Sequence, residues 1–174
     1  KKFSLKKKTA FVVGGSGLIG SETCNALNEF GAKVVNLDLN KNKKIIYDNK
    51  DIIFEKFDIS KVQRLTNSYN KLVKKHGVPD IFVNSSYPKT KDWNNNSFKK
   101  IKYQSFSQNI KIHLNTFSWL SKLVADSMVK KNKTGTIIQL SSIYGIVGQN
   151  LEIYKGTKMQ ESMTYSIIKG GINN

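Results

Sequence analysis

Thr9-Ala10-Phe11-Val12-Val13-Gly14-Gly15-Ser16-Gly17-Leu18-Ile19-Gly20 joins an apolar, β-like run to closely spaced glycines and then to an amphipathic pattern. Strand, tight turn and helix in that order form a setting in which a dinucleotide's pyrophosphate meets free N–H groups at a helix N-terminus. Gly14 lets the strand turn sharply, Gly17 keeps a side chain out of the pyrophosphate's way, and Gly20 lets helix and strand lie close. Ser16, Leu18 and Ile19 complete the turn and join the candidate contacts. About 20 residues on, Asp38 closes a second apolar run, where a carboxylate accepts hydrogen bonds from both ribose hydroxyls. The same charge repels a 2′-phosphate, so NAD is favoured over NADP.

The alternation continues outward from this turn. The helix after Gly17 is expected to bury Ile19, Thr23, Ala26, Leu27 and Phe30 and to stop at Gly31. Residues 32–38 read as a strand, and the polar, lysine-rich 39–50 as a surface connection. A third strand is expected over 51–57, then a helix capped by Ser60 with Val62, Leu65, Tyr69, Leu72 and Val73 inward, ended by Gly77. Residues 80–84 form a fourth strand, and 85–100 a loop with a short helical piece. The longest helical pattern, 105–131, carries Ile110, Leu114, Phe117, Val124 and Met128 on a stripe widened by Leu120 and Leu123. A fifth strand over 136–142, a glycine-bearing active-site loop over 143–161 and a helix beginning at Tyr165 follow. Alternating strands and helices imply an α/β, Rossmann-type doubly wound parallel sheet with helices on both faces. The whole of 1–174 reads as one domain.

Composition narrows the function classes. No apolar run approaches the ~20 residues that span a bilayer, and Cys24 is the only cysteine. These features suit a soluble protein of the reducing cytoplasm. The formal net charge of +17 raises nucleic acid as a partner. Lys and Arg are nevertheless spread evenly, 10 in residues 1–50, 10 in 51–100 and 9 in 101–174, and Arg64 is the sole arginine. Groove and phosphate recognition favours the guanidinium fork, so no nucleic-acid role is expected. His76 and His113 lack partners at metal-ligand spacing, and capping and packing are their expected roles.

Chemistry is expected at the far end. Tyr165 and Lys169 stand four residues apart, neighbours on one helix face, and an adjacent ammonium stabilises a phenolate. Ser141-Ser142 ends the fifth strand and would set hydroxyls beside the cofactor. Tyr154 and Lys158 have the same spacing, but Gly156 inside that turn costs a helix ~1 kcal/mol. Tyr165 is therefore preferred.

Together these residues resemble the short-chain dehydrogenase/reductase family along essentially the whole chain. The family's glycine turn is similar to 13–20, with Val13 in place of threonine and Gly17 spaced as in the extended, sugar-nucleotide branch. The resemblance implies that Asp58 and Ile59 meet the adenine, that Asn84 belongs to the Asn-Asn-Ala-Gly stretch, and that Ser142, Tyr165 and Lys169 are the catalytic serine, tyrosine and lysine. It puts Ile112 where the family has a helix asparagine that supports the lysine through a water, and Asn109, one turn earlier, is the candidate substitute. The implied activity is hydride transfer between NAD(P) and an alcohol or carbonyl substrate, with Tyr165 as acid/base. The segment after Ser142 resembles members from bacterial surface-sugar pathways, which implies a sugar or sugar derivative. An NAD-dependent nucleotide-sugar epimerase or dehydratase and a non-catalytic NAD-binding module are the alternatives. The resemblance further implies a homo-oligomer pairing through the long helix and a substrate-covering part beyond Asn174.

Overall fold

The apolar run before the glycines forms β1 (Thr9–Val13), and the chain then alternates through α1 (Leu18–Glu29), β2 (Lys33–Asp38), β3 (Ile52–Lys56), α2 (Leu65–His76) and β4 (Ile81–Asn84). After β4 come α3 (Tyr103–Asn109), a π-helical segment (Ile110–Leu114), α4 (Asn115–Lys130), β5 (Thr136–Gln139) and α5 (Met163–Asn173). This computed structural model describes residues 3–41 and 52–174. The strands form one parallel sheet in the order β3-β2-β1-β4-β5. Successive crossovers lead away from β1 on one side to β2 and β3, and on the other to β4 and β5. The connections therefore diverge between β1 and β4, where Val13 lies in register with Leu37 and Asn84, and a crevice opens at the carboxyl ends.

Both faces of the sheet are covered, as a parallel sheet requires. Phe11, Val13, Val35, Leu37 and Phe82 point to one side and pack with Leu65, Tyr69 and Leu72 of α2 and Leu120, Val124 and Met128 of α4. Alternate residues Ala10, Val12, Val34 and Val83 face the other side with Cys24 of α1. Among the described residues no helix is long and apolar enough to cross a membrane.

Four local expectations are corrected. First, α1 buries Gly20, Ser21 and Cys24, while Ile19 and Phe30 are 58% and 50% exposed and Ala26 is exposed too. The helix is rotated by its own first turn: a Cβ on Gly20 would lie 2.1 Å from the Gly14 carbonyl oxygen, so that glycine must face the strand. Second, Ser60 caps no helix. Its N–H and hydroxyl both donate to Asp58 Oδ1, at 2.9 and 2.6 Å, in a turn that delays α2 to Leu65. Third, the long helix is interrupted by the π segment, in which Ile112 and His113 are buried and Ile110 and Leu114 half-buried. The wider π turn shifts the stripe, which resumes through Thr116, Phe117, Leu120, Val124 and Met128. Fourth, β5 stops at Gln139, short of the two serines. In the 39–50 connection, Leu39, Asn40 and Lys41 are exposed, and its remaining residues lie outside the described ones.

Candidate functional site

The crevice at the switch point is a cleft of about 590 Å³. Gly14, Gly17, Leu18, Ile19, Asp38, Asp58 and Ile59, all singled out in the sequence, line it. Gly14 has φ +76°, and a Cβ there would come within 2.6 Å of Ser86 Cα, so the turn is pressed against the backbone following β4. Gly17 opens the other way: a Cβ would meet the Gly14 carbonyl at 3.3 Å and nothing nearer. It is the N-cap of α1, makes no side-chain cap bond, and has no acid in the turn after it. An anion facing that end would therefore meet the helix's own N–H groups and positive dipole end.

Asp38 sits where β2 ends, but it is already tethered. Its Oδ2 accepts from Ser16 N–H at 3.0 Å and its Oδ1 from Leu39 N–H at 2.7 Å. These bonds fix the carboxylate at the cleft wall and leave further lone pairs. Ser16 serves that tether rather than the cleft lining. Asn84, at the end of β4, is fully buried below the turn; its Oδ1 accepts from Ser86 Oγ at 2.5 Å, and among the described residues its Nδ2 has no partner.

The residues expected to do chemistry gather where β5 ends. Ser162 Oγ caps α5 by accepting from Tyr165 N–H at 3.2 Å, which starts the helix in the right place for Tyr165 and Lys169 to share a face. Lys169 is 4% exposed, its Nζ donates to the Leu140 carbonyl at 2.6 Å, and it lies 5.7 Å from the Tyr165 ring centroid. Burial pulls its pKa from 10.5 down to about 8. Ser141 Oγ donates to the Lys169 carbonyl, clamping the strand end to α5, and Ser142 Oγ accepts from Tyr144 N–H at 3.2 Å. The Ser142 proton is thus free of that bond. The loop fits closely here: a Cβ on Gly145 would lie 2.6 Å from the Lys169 carbonyl carbon.

Two sequence candidates are placed elsewhere. Asn109 is fully buried, with Oδ1 accepting from Thr90 N–H and Nδ2 donating to Thr90 Oγ1 and the Ser105 carbonyl at 2.8 Å each. Its amide braces the loop after β4. Ile112, at the position of the family's asparagine, lines the cleft with an apolar side chain. Tyr154 ends a short 3₁₀ turn, Leu151–Tyr154, and bonds Gln149 Oε1 at 3.3 Å; Lys155 pairs outward with Glu152 at 2.6 Å, and Lys158 is exposed. Tyr154 and Lys158 therefore share no helix face.

Sequence reasoning passed over Tyr87 and under-read His113. Tyr87 lines the cleft and lies 5.9 Å from the Tyr165 ring, so it joins the two halves of the site. Burial, then the neighbouring Tyr165, raises its pKa. His113 is fully buried between Tyr87 at 5.2 Å and Phe117 at 5.0 Å, and neither ring nitrogen has a partner among the described residues. Burial, then the Lys169 charge, pushes its pKa from 6.5 down to about 3. The available signal was the spacing Asn109, His113, Phe117, two steps of four. His76 instead pairs with Glu55 Oε1 at 2.8 Å.

Known proteins resemble this arrangement. The sequence profile described as short chain dehydrogenase matches residues 8–164. The chain is 32% identical over 177 residues to "Post-translational flagellin modification protein A" of Campylobacter coli, covering 98% of this chain and 69% of that protein. It is 30% identical over 152 residues to "Acetoacetyl-CoA reductase" of Acinetobacter sp. (strain RA3849), covering 83% of this chain and 59% of the reductase. In fold it matches a short chain dehydrogenase from Leptospira borgpetersenii, solved with bound NAD+, at TM-score 0.83 and 24% identity, over 97% of this chain and 63% of that one.

Proposed function

The chain belongs to the short-chain dehydrogenase family, and on that premise we propose that it takes part in hydride transfer between NAD and an alcohol or carbonyl substrate. The observation that carries the reading is the joining of two half-sites: an uncapped, glycine-lined cleft and a Tyr165–Lys169 pair, bridged by Tyr87. The cleft suits a dinucleotide on its own geometry. Gly17 leaves the end of α1 clear for a pyrophosphate, Asp38 offers acceptors to a ribose, and the Asn84 amide has a donor unused among the described residues. The fixed Asp38 carboxylate favours NAD over NADP. Asp58 and Ile59 are read as the adenine wall.

When bound, the nicotinamide supplies or accepts the hydride. Tyr165 exchanges a proton with the substrate oxygen at its phenol, and Ser142 donates its free proton to orient that oxygen. Lys169 holds positive charge beside the phenol and keeps N–H groups beyond the Leu140 bond for the ribose. Asn109 enters this reading only by bracing the loop that carries Tyr87.

A sugar or sugar derivative is the substrate we favour. Tyr154 bonds Gln149, and Tyr144, Glu161 and Tyr165 all act on it, a hydroxyl- and carboxylate-bearing group suited to a polyol; burial, together with Tyr144, Glu161 and Tyr165, pushes the Tyr154 pKa up to about 12. Pairing of two copies through α4 and a cytoplasmic location belong to the same reading. The test is turnover of a panel of sugars, alcohols and ketones followed by NADH absorbance. Tyr165→Phe is expected to lose about 10²–10⁴-fold in kcat with cofactor affinity kept, while Tyr154→Phe alters KM at most. Equal turnover by Tyr165→Phe and wild type would remove the assignment.

A further inference from the structure

Lys169 is a buried ammonium with no carboxylate paired to it among the described residues. It belongs to none of the ion pairs among the described residues, and its bond to Leu140 uses one of three N–H groups. An uncompensated charge in such a place is costly. What surrounds it instead is aromatic: the Phe117 centroid lies 5.4 Å from Nζ, Tyr165 5.7 Å and Tyr87 6.0 Å. His113 is wedged between two of these rings, edge-on to Tyr87 at 87°, and Trp93 meets Tyr87 edge-on at 5.6 Å. A cation within about 6 Å of a ring is attracted by the ring's quadrupole, more strongly when water is excluded.

We propose that Phe117, Tyr87 and Tyr165 form an aromatic cage that holds the Lys169 ammonium, with His113 as the neutral spacer that sets the distance between two of its walls. Tyr87 and His113 are positioning residues, acting on the reaction through Lys169. Three separate elements build the cage: the loop after β4, the π-interrupted helix and α5. His113 comes from the π segment, four residues before Phe117 and on the same face. Since Tyr87 also lines the cofactor cleft, one wall of the cage is a wall of the cleft. Filling the cleft and setting the lysine are therefore linked. The titratable groups facing Lys169 are Tyr165 from α5, Tyr87 from the loop, with Lys89 Nζ 5.9 Å from its ring, and His113 from the π segment. The end of β5 adds the Leu140 carbonyl.

The consequence for turnover rests on the dehydrogenase reading of Lys169, but the cage can be read without turnover. The experiment places phenylalanine, then mono-, di- and trifluorophenylalanine, at position 87 in the chain carrying ¹³Cε-labelled lysine. NMR titration follows Lys169, whose signal is identified by its loss in Lys169→Arg. Fluorination weakens the ring's negative face with little change in shape, so a merely structural role would leave the titration unmoved. The expected result is a stepwise fall in the Lys169 midpoint, about half a unit in total, with Tyr87→Phe itself close to wild type. A midpoint indifferent to fluorine content overturns the cage. Tyr87→Leu, if it folds, should move the Lys169 signal where Tyr87→Phe does not; if it does not fold, the fluorine series still decides. A fluorine trend without turnover would keep the cage and remove the dehydrogenase reading, whereas turnover without a trend would do the reverse.

Discussion

Protonating His113 would put a second cation beside Lys169 in a space closed by Tyr87 and Phe117, and the side chain resists it, titrating at about 3 instead of 6.5. The sign follows: between those values the unfolded chain binds the proton and the folded chain does not. Stability is therefore lost as pH falls from about 6.5 towards 3. His113→Phe keeps an aromatic ring and removes the titration. Denaturant unfolding across that range should show a pH slope shallower than wild type by up to about 1.4 kcal/mol per unit. An unchanged slope would mean that His113 takes up its proton in the fold. Lys169 shifts the same way for the same cause, since burial disfavours its charged form. Its ammonium is present below about 8 and lost above it. For carbonyl reduction, kcat/KM should accordingly fall as pH rises through about 8, a limb set by the free enzyme.

At the scale of elements, the glycine turn makes contrasting demands that substitution can separate. Gly20→Ala drives a Cβ towards the Gly14 carbonyl, whose oxygen is 2.1 Å from the ideal position, so α1 must move off β1 and carry its N-terminus away from the cleft. Gly77→Ala, at the end of α2, meets nothing within 4 Å but has φ +83°. It should cost only backbone strain, about 1–3 kcal/mol, and a corresponding fall in Tm. The discriminating readout is cofactor affinity, reduced tenfold or more by Gly20→Ala and unchanged by Gly77→Ala. These elements also mark how far local sequence reaches. The alternation of strand and helix, the turn, the α2 stripe and the Tyr165–Lys169 face follow from apolar runs, the period of 3.6 and residue spacing, which are local. The rotation of α1 does not, because a backbone contact between Gly20 and Gly14 overrides the apolar count. The π segment is equally invisible, since Phe117 to Met128 keep the ordinary helical period and give no sign of it. Tyr87, His113 and Lys169 meet only through three non-adjacent elements, so no spacing rule could assemble them.

For the molecule as a whole, the even spread of 29 basic against 12 acidic residues makes self-repulsion a general cost of compactness. Few ion pairs relieve it among the described residues, Asp80 with Lys8 and Lys133 and Glu55 with Lys75 being the ones that tie elements together. Raising sodium chloride from about 10 mM to about 150 mM shortens the screening length from ~30 to ~8 Å. Tm should rise accordingly, and a fall would show that the ion pairs outweigh the repulsion. A nucleotide bound only by the folded chain should add about 2.7 kcal/mol at a hundred times its Kd. A calorimetric titration with NAD+ and with NADP+ tests most directly whether the cleft at the β1–β4 switch is an NAD site built on the glycine turn. The expected result is saturable binding of NAD+ at one site per chain, at least tenfold tighter than NADP+, and weakened by Gly20→Ala. No saturable binding of either nucleotide to the folded chain, or equal binding by Gly20→Ala, would contradict it.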